Sequence, residues 1–131
     1  MKEQFVPYEI SLKLKEKGFD WHCLAVYMNG EFQIPRGFGM SIITKEHVDV
    51  LKGKAVLTPL WQQVIEWFLI EHNLYIYIER DGGWWIVRIK DLSREDEEGV
   101  IDIEMKNVFS HCFDEMPKAR QVAIEYVLTL I

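Results

Sequence analysis

The chain has 131 residues, of which 49% are apolar, 13% aromatic and 27% charged, a composition that folds around a core and rules out a disordered or low-complexity chain. Fifteen Lys and Arg against 21 Asp and Glu leave a net charge of −6. That balance argues against a duplex nucleic-acid partner, because such binders gain affinity by replacing counterions with Lys and Arg.

Pro7 suits a first helical turn, where its missing N–H costs nothing. On the helical wheel that follows, Glu9, Lys13, Glu16 and Lys17 share one side, while Tyr8, Ile10, Leu12 and Leu14 take the rest. Gly18 is the expected C-cap, with Phe19 folding back on the last turn. His22 to Ile34 then reads as a hairpin around Asn29-Gly30. Its register sets Tyr27 opposite Phe32 and Ala25 opposite Ile34, and puts Cys23, Ala25, Tyr27, Phe32 and Ile34 on one side. Leu24, Val26 and Met28 are apolar as well, which predicts a central strand.

Residues 35–53 carry fewer signals. Arg36-Gly37-Phe38-Gly39 reads as a loop, and Thr44 to Val48 as a short capped helix. Thr58-Pro59 predicts the start of a helix, Thr as N-cap and Pro at the first helical position. Leu60, Trp61, Val64, Ile65, Trp67, Phe68 and Leu69 form its apolar half, and His72-Asn73 ends it.

A second hairpin follows. Leu74, Ile76 and Ile78 alternate with Tyr75, Tyr77 and Glu79. After Asp81-Gly82-Gly83, Trp85, Val87 and Ile89 alternate with Trp84, Ile86, Arg88 and Lys90. Only a two-residue turn, at Asp81-Gly82 or Gly82-Gly83, pairs the two apolar sets on one face. Ser93 to Gly99 reads as a charged turn. Ile101, Ile103 and Met105 mark a half-buried strand, and Val108 to Phe113 a further short one. The last helix opens at Pro117, with Ala119, Val122, Ala123, Tyr126, Val127 and Leu130 as its buried stripe. The layout predicts one small α+β domain over 1–131, an antiparallel sheet of about four to six strands built from two hairpins that share it, packed with three main helices.

Three stretches resemble a group of small uncharacterised proteins encoded by phages and prophages of gut Bacteroides-type bacteria. They are Phe5-Val6-Pro7-Tyr8-Glu9 with Leu12-Lys13-Leu14-Lys15, Gly18-Phe19-Asp20 and Cys23; Thr58 with Gln62-Gln63 and Trp67-Phe68; and Ala119, Ile124, Leu128 and Ile131. Between Asn29 and Lys54 the chain is longer than that pattern. The resemblance implies an accessory gene of a mobile element and brings no catalytic residue or cofactor with it.

Two His-Cys dipeptides, His22-Cys23 and His111-Cys112, contain zinc-ligand types. Structural zinc sites space their ligands two to four residues apart, however, and neighbours on a strand point to opposite faces, so no metal or other cofactor is expected. A catalytic Cys-His pair needs an exposed thiolate, whereas cysteine favours burial. The Gly-x-Gly at Gly37–Gly39 lacks the rest of a phosphate loop. The run Glu95 to Glu98, with Asp91, Asp102 and Glu104 nearby, offers the carboxylates of a nucleic-acid mimic, though a charged loop is usually a solvated turn.

The second hairpin holds the candidate binding residues: Tyr75, Tyr77, Trp84, Arg88 and Lys90 alternate away from the side bearing Ile76 and Val87. Aromatics with Arg are enriched at binding hot spots and also suit base stacking; the plain alternative is that a helix covers this face as a second core layer. The reading favoured is a non-enzymatic accessory protein of a phage or mobile element that binds another protein, with homodimerisation as a further partner option. Its alternatives are a small Cys/His-dependent enzyme and an acidic mimic that inhibits a host DNA-binding protein. No run approaches the roughly 20 apolar residues that span a bilayer. Met1 to Pro7 lacks the apolar core of a secretory signal, and two cysteines are too few for a disulfide scaffold, so the expected compartment is the cytoplasm.

Overall fold

In a computed structural model that describes residues 2–35, 42–96, 99–103 and 112–131, Pro7 takes an extended conformation (φ −70°, ψ 168°) and precedes helix α1, Tyr8–Glu16. Beyond the helix, Gly18 turns left-handed (φ 89°). Its N–H reaches Lys15 O at 3.1 Å and the Phe19 N–H reaches Leu14 O at 2.9 Å, the paired bonds of a Schellman motif, with Phe19 buried as the motif's apolar clasp. Glu9, Lys13, Glu16 and Lys17 are exposed, and Ile10, Ser11 and Leu14 are buried.

The chain divides into two compact units, residues 1–63 and 64–131. In the first, β1 (Ala25–Met28) pairs antiparallel with β2 (Glu31–Gln33) through Asn29-Gly30, Tyr27 opposite Phe32 as the spacing predicts. Asn29 (φ 51°) and Gly30 (φ 82°) both take the positive φ that this tight turn demands. The β1–β2 ladder ends at Val26 and Gln33, short of the expected Ala25–Ile34 pair. Cys23 instead bridges to Ile43 through two backbone hydrogen bonds.

The second neighbour of β1 is β3, Ala55–Thr58, which makes β1 the central strand of a three-stranded sheet ordered β2-β1-β3. All four β3 residues are buried. Tyr8, Tyr27, Phe32 and Phe5 form a chain of ring contacts at 5.2–5.7 Å. A short helix α2, Lys45–Asp49, starts at Thr44, whose hydroxyl accepts from His47 N while His47 Nδ1 accepts from Thr44 N. This reciprocal cap matches the expected short helix.

Helix α3 spans Trp61–His72, two residues later than Thr58-Pro59 predicts. The Thr58 hydroxyl is not available as a cap, because it donates to Val56 O at 3.2 Å inside the sheet, and Pro59 O accepts from Val6 N. Gln63 Oε1 accepts from Leu60 N at 2.9 Å and closes the helix start in their place. Trp61 Nε1 donates to Glu3 O, and Asn73, left-handed at φ 55°, ends the helix.

In the second unit β4 (Leu74–Asp81) and β5 (Trp84–Asp96) form a regular hairpin from the Leu74–Asp91 pair to the Asp81–Trp84 pair. The turn is therefore Gly82-Gly83, at φ 58° and 87°. β5 is longer than expected: it runs through the segment read as a charged turn, and Glu95 and Asp96 pair with Val100 and Gly99 of β6, Gly99–Asp102. Near the hairpin tip β7, Cys112–Phe113, also pairs with β5. Helix α4, Met116–Leu128, runs against β4, β5 and β7. Its buried residues are Ala119, Ala123, Ile124, Val127 and Leu128, so the stripe takes in Ile124 and Leu128, and Leu130 is exposed.

The α+β class with antiparallel strands on two hairpins matches the expectation. The shared sheet does not: the strands divide between two sheets, β2-β1-β3 and one in which β5 pairs with β4, β6 and β7. Each hairpin's inner strand fills its second edge locally, β1 with β3 and β5 with β6 and β7. The expected loop at 36–39, Glu97, Glu98, Met105, residues 108–110 and His111 lie outside the described residues.

Candidate functional site

Strand alternation and the Gly82-Gly83 turn give the β4–β5 hairpin two unlike faces. Leu74, Ile76, Val87 and Ile89 are buried on the inner one. The register places Tyr75 beside Lys90, Tyr77 beside Arg88, Glu79 beside Ile86 and Asp81 beside Trp84 on the other. All five sequence-predicted binding residues, Tyr75, Tyr77, Trp84, Arg88 and Lys90, thus share one face. Trp84 is 53% exposed and Tyr75 38%; Arg88 is also exposed, while Tyr77, Ile86 and Lys90 are half-buried. This face is not a fully covered second core layer.

The face has internal order. Tyr75 and Tyr77 stack, ring centroids 5.5 Å apart and planes 23° from parallel. Lys90 Nζ stands 5.7 Å from the Tyr77 ring centre, within cation–π range. Arg88 Nε lies 3.7 Å from Glu79 Oε2, an exposed pair that orients both groups and stabilises little. Charge is segregated along the ribbon: Arg88 and Lys90 lie toward the end away from the turn, and Glu79 and Asp81 toward the tip. Cys112 pairs with Ile86 in the register and so belongs to this face too. Glu79 and Asp81 were not among the sequence candidates, although the same period of two that found Tyr75 and Tyr77 continues through them.

The other chemistry-bearing residues do not converge. Cys23 is 1% exposed, its Sγ 3.4 Å from Trp21 O, and burial pushes its thiol up to about 12, the opposite of an activated nucleophile. His22, its neighbour, is exposed, as alternation requires. Cys112 is half-buried in β7. Among the described residues no group of three or more His, Cys, Asp or Glu is arranged to hold a metal ion, and no helix is long and apolar enough to cross a membrane. Glu95 and Asp96 belong to a paired strand.

Compared with protein-family models, with curated proteins and with solved structures, the chain matches none.

Proposed function

We propose that the chain is a protein-binding accessory factor, in the mobile-element setting that its sequence resemblance implies, and that the outer β4–β5 face is its docking surface. The observation that carries this reading is the contrast between the two faces: one buried with aliphatic residues, the other open and bearing two stacked tyrosines, a tryptophan and two cations. Trp, Tyr and Arg are enriched among the residues that dominate binding energetics: Trp and Tyr bring large, rigid contact area and Arg a planar fork of donors.

Size and charge select the occupant. An eight-residue strand is about 27 Å long, and two strands are about 10 Å across, which gives roughly 270 Å². A stable dimer needs about 800 Å² from each partner. The face therefore suits a single segment of another protein, acidic where it meets Arg88 and Lys90, apolar over Tyr77 and Ile86, and basic near Glu79 and Asp81. Cross-linking of partners to the tagged chain, followed by titration of the cross-linked segment as a synthetic peptide, tests this. The peptide should shift the amide resonances of residues 75–77 and 84–90, and the Trp84→Ala, Arg88→Glu double variant should bind it at least about 30-fold more weakly, as for the loss of a hot spot. Equal binding by wild type and variant assigns the partner to another surface.

A further inference from the structure

The first unit holds a pocket of about 220 Å³ between the C-terminal end of α1, α2 and β3. Phe19, Val48 and Leu57 supply apolar lining and are buried. Ser11 also lines it, and this is the unusual residue. Its side chain is 1% exposed, and its hydroxyl oxygen has no hydrogen-bond partner, although its backbone N–H closes a normal helical bond to Pro7 O at 3.0 Å. A buried hydroxyl left unpaired is a cost that folded proteins generally avoid.

Two occupants would relieve it, water or a small organic molecule, and the lining decides between them. At about 30 Å³ per molecule the pocket would take some seven waters, each needing two to four polar partners. Beside Phe19, Val48 and Leu57 such partners are lacking, so water gathers at Lys15, Asp20, Lys45 and Asp49, which also line the pocket, and an apolar body fits the rest better than water does. An apolar cavity of about 150 Å³ holds benzene, so about 220 Å³ takes one ring, or a branched chain of similar size, with one polar substituent. Charge narrows the choice further. The lining also carries Lys15 and Lys45 against Asp20 and Asp49, two of each sign, so the pocket has no charge surplus for an ion, and a net charge set against Phe19, Val48 and Leu57 would lose its hydration without a partner.

We infer that this pocket is a binding site for a small neutral molecule of single-ring size whose one oxygen hydrogen-bonds the Ser11 hydroxyl. The inference is independent of the docking surface, which lies in the other unit.

Phenol is the probe, with benzene, benzoate and phenylalanine as controls, each titrated into the intact protein and followed by amide chemical shifts. Phenol should bind saturably, with a dissociation constant of roughly millimolar or tighter for so small a ligand, and should shift residues 11, 19, 48 and 57 together. Benzene should bind more weakly than phenol, and benzoate and phenylalanine more weakly still. Ser11→Ala should weaken phenol by about 5- to 10-fold, the loss of one hydrogen bond, leave benzene unchanged and raise the melting temperature of the free protein. A Val48→Phe variant, with folding verified by circular dichroism, should block both ligands. Absence of saturable phenol shifts overturns the proposal, as does equal phenol affinity in wild type and Ser11→Ala. Preferred binding of benzoate or phenylalanine overturns the assignment to a neutral ligand.

Discussion

Cys23 and Ser11 show how burial alone sets the chemistry of a side chain. The Cys23 thiol is held neutral by desolvation, at about 12, so at pH 8 its thiolate fraction is on the order of 10⁻⁴. A disulfide reagent at that pH should therefore reach Cys23 only in denaturant, and the Cys112→Ser variant, with Cys23 its one thiol, should be nearly inert until unfolded. Because folding raises this pKa above its unfolded value of about 8.5, the contribution to stability is complete below that value and is lost as pH rises toward 12. The urea midpoint of wild type should fall more steeply than that of Cys23→Ala between pH 8 and 11. Ser11 was a recognisable signal in hindsight, a polar residue between Ile10 and Leu14 on the packed side of its helix. What it faces was not recognisable, because Phe19, Val48 and Leu57 come from three distant parts of the sequence.

At the scale of elements, β5 depends on one carboxylate where its pairing is irregular. The partner register shifts between Asp91 and Glu95, and Asp91 spans the interruption: Oδ1 accepts from Ser93 N at 3.0 Å and from its hydroxyl, and Oδ2 accepts from Arg94 Nε at 2.9 Å. The Ser93 hydroxyl first, and the Ser93 amide and Arg94 guanidinium with it, hold the Asp91 carboxyl below its usual range. A depressed folded pKa stabilises fully above the unfolded value of about 3.9 and is lost as pH falls through the lower folded one. Asp91→Ala should flatten that part of the acid-unfolding curve and cost about 1 kcal/mol at neutral pH, measured by urea denaturation. Both hairpins were legible because Asn29-Gly30 and Gly82-Gly83 fix a two-residue turn and alternation fixes the faces. β3 was not, because Ala55-Val56-Leu57-Thr58 is buried throughout and shows no period of two, and because Thr58-Pro59 imitates a helix start. The far half of β5 was hidden by Ser93 to Asp96, whose polar composition matches a loop even though Glu95 and Asp96 are paired. The candidate face followed from alternation, which runs on through Glu79 and Asp81 at its acidic end even though the aromatic and cationic residues alone stood out as candidates.

At the scale of the whole molecule the net charge is −6, whereas the charges of the proposed docking face, Arg88 and Lys90 against Glu79 and Asp81, balance. Attraction to a partner is then local rather than long-range, and association should weaken only modestly between low and physiological salt. With roughly 270 Å² on the proposed face, the chain should sediment as a 15.6 kDa monomer at micromolar concentration; a concentration-independent dimer would make a second copy the occupant instead. Among the described residues β4 pairs on one side only, so its outer backbone rim carries open donors and acceptors. The stretch Leu74-Tyr75-Ile76-Tyr77-Ile78 along that rim is uncharged, rich in β-formers and free of proline, the composition from which fibrils are seeded. Only Glu79, Arg80 and Asp81 follow as gatekeepers, and heat or crowding that loosens this hairpin would turn it into a template for cross-β growth.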